Sequence, residues 1–117
     1  MTHAGKHLLA ELYQCEYIPS IENIKNSLAS ICKEIGATVL FTHAHEFDGG
    51  GSSGVVILAE SHCTWHHWID EKYIALDLFV CGTCNPSDAQ DMFLKLFKPK
   101  RTKFDLYYRG EGYQNIS

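Results

Sequence analysis

The sequence predicts an α+β fold, a two-layer sandwich in which a mostly antiparallel sheet carries two main helices packed on one face. Several segments of the 117-residue chain are rich in strand-forming residues and are separated by turn-forming residues. Two other segments repeat apolar residues at intervals of three and four, the spacing of a helix that buries one side. No internal repeat interrupts this order, and the length suits a single domain over residues 1–117.

The first strand is predicted from Lys6 to Cys15. Ser20 can then cap a helix that runs to Ile35, because a serine hydroxyl accepts a hydrogen bond from a free backbone N–H of the first turn. Gly36 follows, and glycine is the residue that most often ends a helix in a left-handed conformation. The side chains that this helix is expected to bury are Ile21, Ile24, Leu28, Ile31 and Ile35.

The rest of the chain alternates in the same way. Further strands are predicted at 37–47, 55–60, 73–81 and 103–108, with another following Ser61. The stretch DGGGSSG at 48–54 is predicted to be a flexible loop. Asn85 and Pro86 suit the N-cap and the first residue of a second helix. Its expected inward side chains are Ala89, Met92, Phe93, Leu96 and Phe97.

Composition excludes several classes of partner. The formal net charge is -4, and the only cationic cluster is the short run KPKRTK from Lys98. The negative charge and the lack of a larger basic patch argue against nucleic acid as a partner. No apolar stretch is long enough to cross a membrane, and the N-terminal MTHAGKHL lacks the apolar core of a signal peptide. We therefore expect a cytoplasmic protein whose five cysteines are reduced.

The stretch LAESHCTWHHW, residues 58–68, concentrates polar chemistry in a predicted strand. Successive side chains of a strand point to opposite faces. His62 and His66 would therefore share one face, while Ser61 and His67 would share the other. Ser61 and His66 could then not meet without a bend or break near Ser61, so either they do not cooperate or the strand is interrupted there.

Three site chemistries fit these residues, and a polar strand face without chemistry is the fourth reading. A zinc site has enough potential ligands, although one CxxC motif (CGTC, Cys81 and Cys84) is a weak signal and we assign no metal. A redox site is disfavoured because Asn85 and Pro86 begin the helix after the motif rather than at its first cysteine. A nucleophilic serine with a histidine base is the third. The potential zinc ligands are His43, His45, His62, His66, His67, Cys81 and Cys84.

Five motifs distinguish these readings. The segments GKHLLAELY, GATVL, SGVVILAESH, YIALDLFVCG and KPKR occur in this order between Gly5 and about Gly110. In sequence and spacing they resemble the prokaryotic S-adenosylmethionine decarboxylase family, whose members are pyruvoyl-dependent proenzymes. The resemblance implies that the chain cuts itself between Glu60 and Ser61.

The resemblance also implies how this cleavage proceeds. The Ser61 hydroxyl attacks the carbonyl of Glu60, and the acyl group moves from nitrogen to oxygen. β-Elimination then leaves a carboxylate on Glu60 and converts residue 61, through dehydroalanine, to a pyruvoyl group. Ser53 matches the serine that assists the acyl shift, and His66 matches the histidine that removes the Cα proton. A backbone bent and strained at the Glu60–Ser61 bond is therefore expected.

After cleavage, the resemblance implies a decarboxylase that supplies the aminopropyl donor for spermidine synthesis. The pyruvoyl group forms a Schiff base with the substrate amine and takes up the electrons left by carbon dioxide. Cys81 matches the proton donor, a role that an ordinary thiol can fill because it is mostly protonated at neutral pH. Phe47 matches the ring that packs on adenine, and Asp70 matches the acidic residue that holds the ribose hydroxyls.

The substrate remains open because the sequence departs from the family near Asp70. Ile69, Asp70, Glu71 and Lys72 replace the usual Pro-Glu-Tyr-Gly, so the carboxylate is one methylene shorter and the turn loses its proline. A free basic amino acid, arginine or ornithine, is the alternative substrate. An unprocessed non-enzymatic homologue and a small zinc-binding protein are the alternatives from other classes. The family pairs two protomers, so a homodimer of cleaved protomers is expected.

Overall fold

The computed structural model describes residues 3–115, which form one six-stranded antiparallel sheet with helices on one face. This confirms the predicted α+β sandwich. Within residues 3–115 no helix has the length and apolarity needed to cross a membrane. In chain order the elements are β1 (Gly5–Tyr13), α1 (Ile21–Glu34), β2 (Val39–Glu46), β3 (Ser52–Leu58), β4 (Ser61–Trp68), β5 (Tyr73–Cys81), a 3₁₀ turn (Pro86–Ala89), α2 (Gln90–Phe97), β6 (Arg101–Arg109) and a 3₁₀ turn (Tyr113–Asn115).

The strand order β2-β3-β4-β5-β1-β6 determines which chain segments become neighbours. β2 to β5 form consecutive antiparallel pairs, and β1 lies between β5 and β6. One end of the sheet, here called the Ser61 end, brings together Ser61, Cys81, Gly5 and Arg109. The opposite end, here called the His66 end, contains the second halves of β4 and β1 and the first halves of β3, β5 and β6.

The core fills the space between the helices and one face of the sheet. Trp65 is its largest side chain; it is fully buried, and its indole N–H donates a hydrogen bond of 3.1 Å to Ser52 Oγ. A side chain on Gly54 would place its Cβ only 2.1 Å from this indole ring, so the core requires glycine there. The other large, fully buried side chains are Leu8, Leu12, Ile24, Leu28, Val56, Leu58, Ile74, Leu76, Leu78, Phe93 and Phe97.

Both predicted helix starts are confirmed. Ser20 Oγ accepts a hydrogen bond of 3.2 Å from Asn23 N, and Asn85 Oδ1 accepts one of 3.1 Å from Ser87 N. Gly36 follows the C-cap of α1 with a φ of +99°, which glycine adopts without steric cost. The second helix differs from the prediction in one respect, because its first turn, Pro86–Ala89, is 3₁₀ rather than α.

Two predicted boundaries near the candidate site are wrong. β3 begins at Ser52, so Ser53 and Gly54 lie in a strand and not in a flexible loop. Its glycine and serines have low strand propensity, but β3 is hydrogen-bonded on both sides, to β2 and β4, and tertiary pairing of this kind overrides propensity. The same strand ends at Leu58, which leaves Glu60 in a turn instead of the strand predicted to include it.

Candidate active site

The Glu60–Ser61 bond lies in the tight turn between β3 and β4. Leu58 pairs with Ser61, so only Ala59 and Glu60 connect the two strands. Glu60 has a φ of +66°, a left-handed conformation that is uncommon outside glycine. The backbone is therefore bent and conformationally costly at the bond that the sequence marks for cleavage, as expected.

Cys81 lies directly beside this turn. Its thiol donates a hydrogen bond of 3.0 Å to the backbone carbonyl oxygen of Glu60. Both residues line a cavity of about 250 Å³, which Ser61 and the second thiol of the CGTC motif, Cys84, also border. The carbonyl that the sequence predicts Ser61 to attack is thus held and polarised by the residue predicted to donate a proton.

A second cavity, of about 520 Å³, adjoins the same bond. Glu60, Ser61, His62, Phe79 and Arg109 are among its lining residues. Arg109 is not among the residues predicted from sequence, because the last predicted strand ends at residue 108. β6 extends through this residue and is paired with β1, which carries the guanidinium to the Ser61 end.

The His66 end gathers the other predicted site residues. Ser53 and His66 are cross-strand partners on β3 and β4, and a hydrogen bond of 2.8 Å joins Ser53 Oγ to His66 Nδ1. They line a cavity of about 430 Å³ together with Phe47, Asp70 and Trp68. Four of the predicted residues therefore share one cavity, although Phe47 and Asp70 lie outside the strands.

The two groups do not meet within one chain. β4 is continuous from Ser61 to Trp68, and the five residue-to-residue steps from Ser61 to His66 span about 17 Å. The bend expected near Ser61 is present, but it lies before the strand and so cannot bring Ser61 to His66. Ser61 and His66 were expected on opposite faces of one strand, and the bend was expected to let them meet. For a single protomer this expectation is wrong.

The remaining histidines do not form a metal centre. Among residues 3–115, no three histidine, cysteine, aspartate or glutamate side chains are grouped so that they could hold a metal ion. His67 instead faces the core, where burial lowers its pKa and leaves Nε2 without a hydrogen-bond partner. His43 and His45 lie exposed on the edge strand β2.

Comparison with known proteins identifies this arrangement. The family model for S-adenosylmethionine decarboxylase matches residues 6–110. The S-adenosylmethionine decarboxylase proenzyme of Thermodesulfovibrio yellowstonii is 40% identical over 99 residues, which are 82% of this chain and 73% of that protein. The proenzyme of Methanococcus aeolicus is 37% identical over 109 residues, which are 91% of this chain and 92% of that protein.

Solved structures agree with the sequence comparison. The adenosylmethionine decarboxylase of Aquifex aeolicus superposes with a TM-score of 0.81 at 30% identity and covers 94% of this chain and 93% of its own. A Trypanosoma brucei protein, AdoMetDC-delta26, shares the fold with a TM-score of 0.63 at 16% identity, and the match covers 50% of its length. Because the family model spans nearly the whole sequence, the chain belongs to the S-adenosylmethionine decarboxylase family.

Proposed function

We propose that this chain is a self-processing carboxy-lyase that decarboxylates S-adenosylmethionine and so supplies the aminopropyl donor for spermidine synthesis. The observation that carries the proposal is the contact between the Cys81 thiol and the Glu60 carbonyl, at 3.0 Å, on the strained turn that precedes Ser61. A proton donor beside a cleavable bond suits a site where cleavage first creates the prosthetic group and decarboxylation then takes place. The names of the relatives supply the substrate.

The residues at this point fit a pyruvoyl group derived from Ser61. Ser61 is only partly buried and borders both cavities at its end of the sheet, so a group formed there is open to substrate. Once formed, the pyruvoyl group would supply the electron sink for decarboxylation. Cys81 would hold the proton that replaces the lost carboxyl group. Glu60 would have served only in the cleavage, whereas residue 61 would carry the pyruvoyl group into the decarboxylation.

Processing requires a second copy of the chain. Ser53 and His66 are proposed to act on the bond at Ser61, yet His66 is about 17 Å from Ser61 along the same strand. A twofold partner that packs on the open sheet face with its strands reversed would lay its His66 end over the Ser61 end of the first copy. Four large apolar side chains exposed on that face favour such pairing, namely Phe41, Ile57, Trp68 and Tyr107.

The same pairing would complete the substrate site. Phe47 is 48% exposed and borders the cavity that also holds Asp70, so a ring and a carboxylate face outward together. A nucleoside needs both groups, one to stack on its base and one to accept hydrogen bonds from its ribose hydroxyls. If Phe47 and Asp70 of one protomer lie over the Ser61 end of the other, they would hold the nucleoside. Cys81 at that Ser61 end would then face the reacting carbon.

Intact mass spectrometry of freshly purified protein tests the cleavage. We expect two fragments, 1–60 and 61–117, the second blocked to N-terminal sequencing, and we expect Ser61→Ala to remain one chain. A protein that releases carbon dioxide while every chain stays whole would contradict the proposal. An uncleaved and inactive wild type would favour the non-enzymatic homologue.

Parallel assays of carbon dioxide release from labelled S-adenosylmethionine, arginine and ornithine test the substrate. Asp70 is the specific reason to include the amino acids, because its shorter carboxylate could instead bind a guanidinium or ammonium group. With the nucleoside as substrate, Phe47→Ala and Asp70→Asn should each lose tenfold or more in kcat/KM. Turnover of arginine or ornithine, with none of S-adenosylmethionine, would leave the proposed self-cleavage standing but show that the proposed substrate is wrong.

We also propose a single domain that works in the cytoplasm. Among the described residues all five cysteines are free, which agrees with a reducing compartment.

A further inference from the structure

Arg109 presents an oriented cation to the cavity at the Ser61 end. Its Nη1 donates a hydrogen bond of 3.2 Å to His7 Nδ1, and its guanidinium carbon lies 5.5 Å from the centre of the Phe79 ring. Within residues 3–115 no carboxylate forms a salt bridge with it. The charge is therefore held in position without being neutralised.

His7 can orient Arg109 because its imidazole is neutral. An Nδ1 atom that accepts a hydrogen bond carries no proton, which leaves the proton on Nε2. Burial lowers the pKa of His7, Asp77 opposes this shift, and Arg109 and His62 add to it. Nε2 lies 3.9 Å from Asp77 Oδ2, so the acidic residue faces the far side of the ring and not Arg109.

Arg109 is also the only cation beside the cleavage bond in the described chain. The 520 Å³ cavity contains Arg109 together with Glu60 and Ser61. The 250 Å³ cavity on the other side of the turn has neither lysine nor arginine in its lining. Within the described chain, Arg109 is thus the cation that can neutralise an anion formed at this bond.

The proposed cleavage forms such an anion. The acyl shift converts the Glu60–Ser61 amide to an ester, and elimination breaks the bond between Ser61 Cβ and the ester oxygen while a base takes the Cα proton. The oxygen keeps the electron pair, and Glu60 gains a terminal carboxylate beside its own side-chain carboxylate. Water then replaces the nitrogen of residue 61, which leaves as ammonia. The left-handed φ of Glu60 is no longer imposed by the turn, so the new end can move.

We propose that Arg109 is the counter-ion that binds the carboxylate created on Glu60 by self-cleavage, an inference that rests on the proposed processing. The pair would draw the new chain end away from the reacting group and hold fragment 1–60 against fragment 61–117. Before cleavage no carboxylate of the described chain, including the Glu60 side chain in the same cavity, forms a salt bridge with this guanidinium.

Carbon-13 NMR of the processed protein tests the pair directly. With glutamate labelled at its backbone carbonyl carbon, every labelled site remains an amide except the new chain end, so one signal alone titrates. A cation within about 4–6 Å lowers the pKa of a carboxyl group by roughly one unit or more. We expect the pKa of that terminal carboxyl to be lower in wild type than in Arg109→Gln and to be largely restored in Arg109→Lys.

Lys103→Gln is the matched control, because it removes one positive charge from the same face of the same strand, about 20 Å away. It should leave the titration of the terminal carboxyl unchanged. An identical titration in wild type and Arg109→Gln would overturn the proposal. A raised KM in that variant would then indicate that Arg109 binds the substrate carboxylate instead. Absence of any titrating signal would instead mean that the chain is not cleaved, which is a failure of the proposed function.

Discussion

Cys81 and Glu60 are joined across the β3–β4 turn by a hydrogen bond in which the thiol donates to the backbone carbonyl at 3.0 Å. The thiol comes from the last residue of β5, and the carbonyl belongs to a residue with a left-handed backbone. The contact places the proposed proton donor at the bond that we propose is cut when the prosthetic group forms. One residue can therefore face both steps without moving between sites.

Cys81→Ala should separate the two steps. We expect most of the self-cleavage to remain, because Ser61 is the nucleophile, whereas carbon dioxide release should fall by about 10²–10⁴-fold, the usual contribution of a positioned acid. Fragment masses and labelled substrate in the same preparation measure both. Cys84→Ala is the control, since Cys84 borders the same cavity without contacting the bond, and turnover by Cys81→Ala at the wild-type rate would show that the acid is misassigned.

His66 should act on Ser61 of the other protomer. Alone, His66→Ala should stall at the ester, from which hydroxylamine releases fragments, and Ser61→Ala should not react at all. When the two variants are co-expressed with distinguishable tags, a mixed dimer combines an intact Ser61 with an intact His66. We therefore expect cleavage of the His66→Ala chain in the mixture.

The outcome distinguishes two geometries. Cleavage in the mixture but not in either variant alone requires His66 of one protomer to act on Ser61 of the other. If His66 served its own chain, co-expression would rescue nothing, and β4 would have to break before cleavage. Ser53→Ala can replace His66→Ala as a second partner in this test, because its hydroxyl is bonded to His66.

Gly54→Ala should destabilise the fold through Trp65. The new Cβ would lie 2.1–2.5 Å from three atoms of a fully buried indole, and overpacking of this kind costs about 1–3 kcal/mol. Urea unfolding in the uncleaved Ser61→Ala background measures the loss. In a Trp65→Leu background the same change should cost much less, and an equal cost in both backgrounds would place the strain elsewhere.

Acid should weaken the fold through His67. Burial lowers the pKa of His67 below its value in the unfolded chain, about 6.5. Above that pH both states are neutral and the full stability is present. As the pH falls below it, the unfolded chain takes up a proton that the folded chain resists, so stability declines until the folded pKa is reached.

The free energy of unfolding of the Ser61→Ala protein, followed from pH 7.5 to 5, measures this slope. His67→Gln should make the decline shallower, while the partly buried His7, whose pKa is lowered as well, accounts for part of the remainder. His43→Gln, at an exposed site on β2, is the control. An unchanged slope in His67→Gln would contradict the assignment.

Local sequence patterns predicted the fold class, both helices with their caps, and the residues of the proposed cleavage bond. Apolar spacing and capping are local, so they can be interpreted wherever neighbours in the chain are neighbours in space. The motif SGVVILAESH and the later CG made Ser61 and Cys81 candidate site residues for the same reason, because each lies in a short matching segment. The loop expected at 48–54 was wrong because strand pairing on both sides of β3 outweighed the low propensity of its glycine and serines.

The grouping of these residues became visible only in the folded chain. Strand order brings Gly5, Cys81 and Arg109 together although they are far apart in sequence, and no local pattern encodes that order. The same sheet keeps Ser61 and His66 at opposite ends of β4 although only four residues lie between them. A continuous strand is rigid and extended, so closeness in sequence becomes distance in space, and the proposed processing therefore calls for a second chain to bring the two groups together.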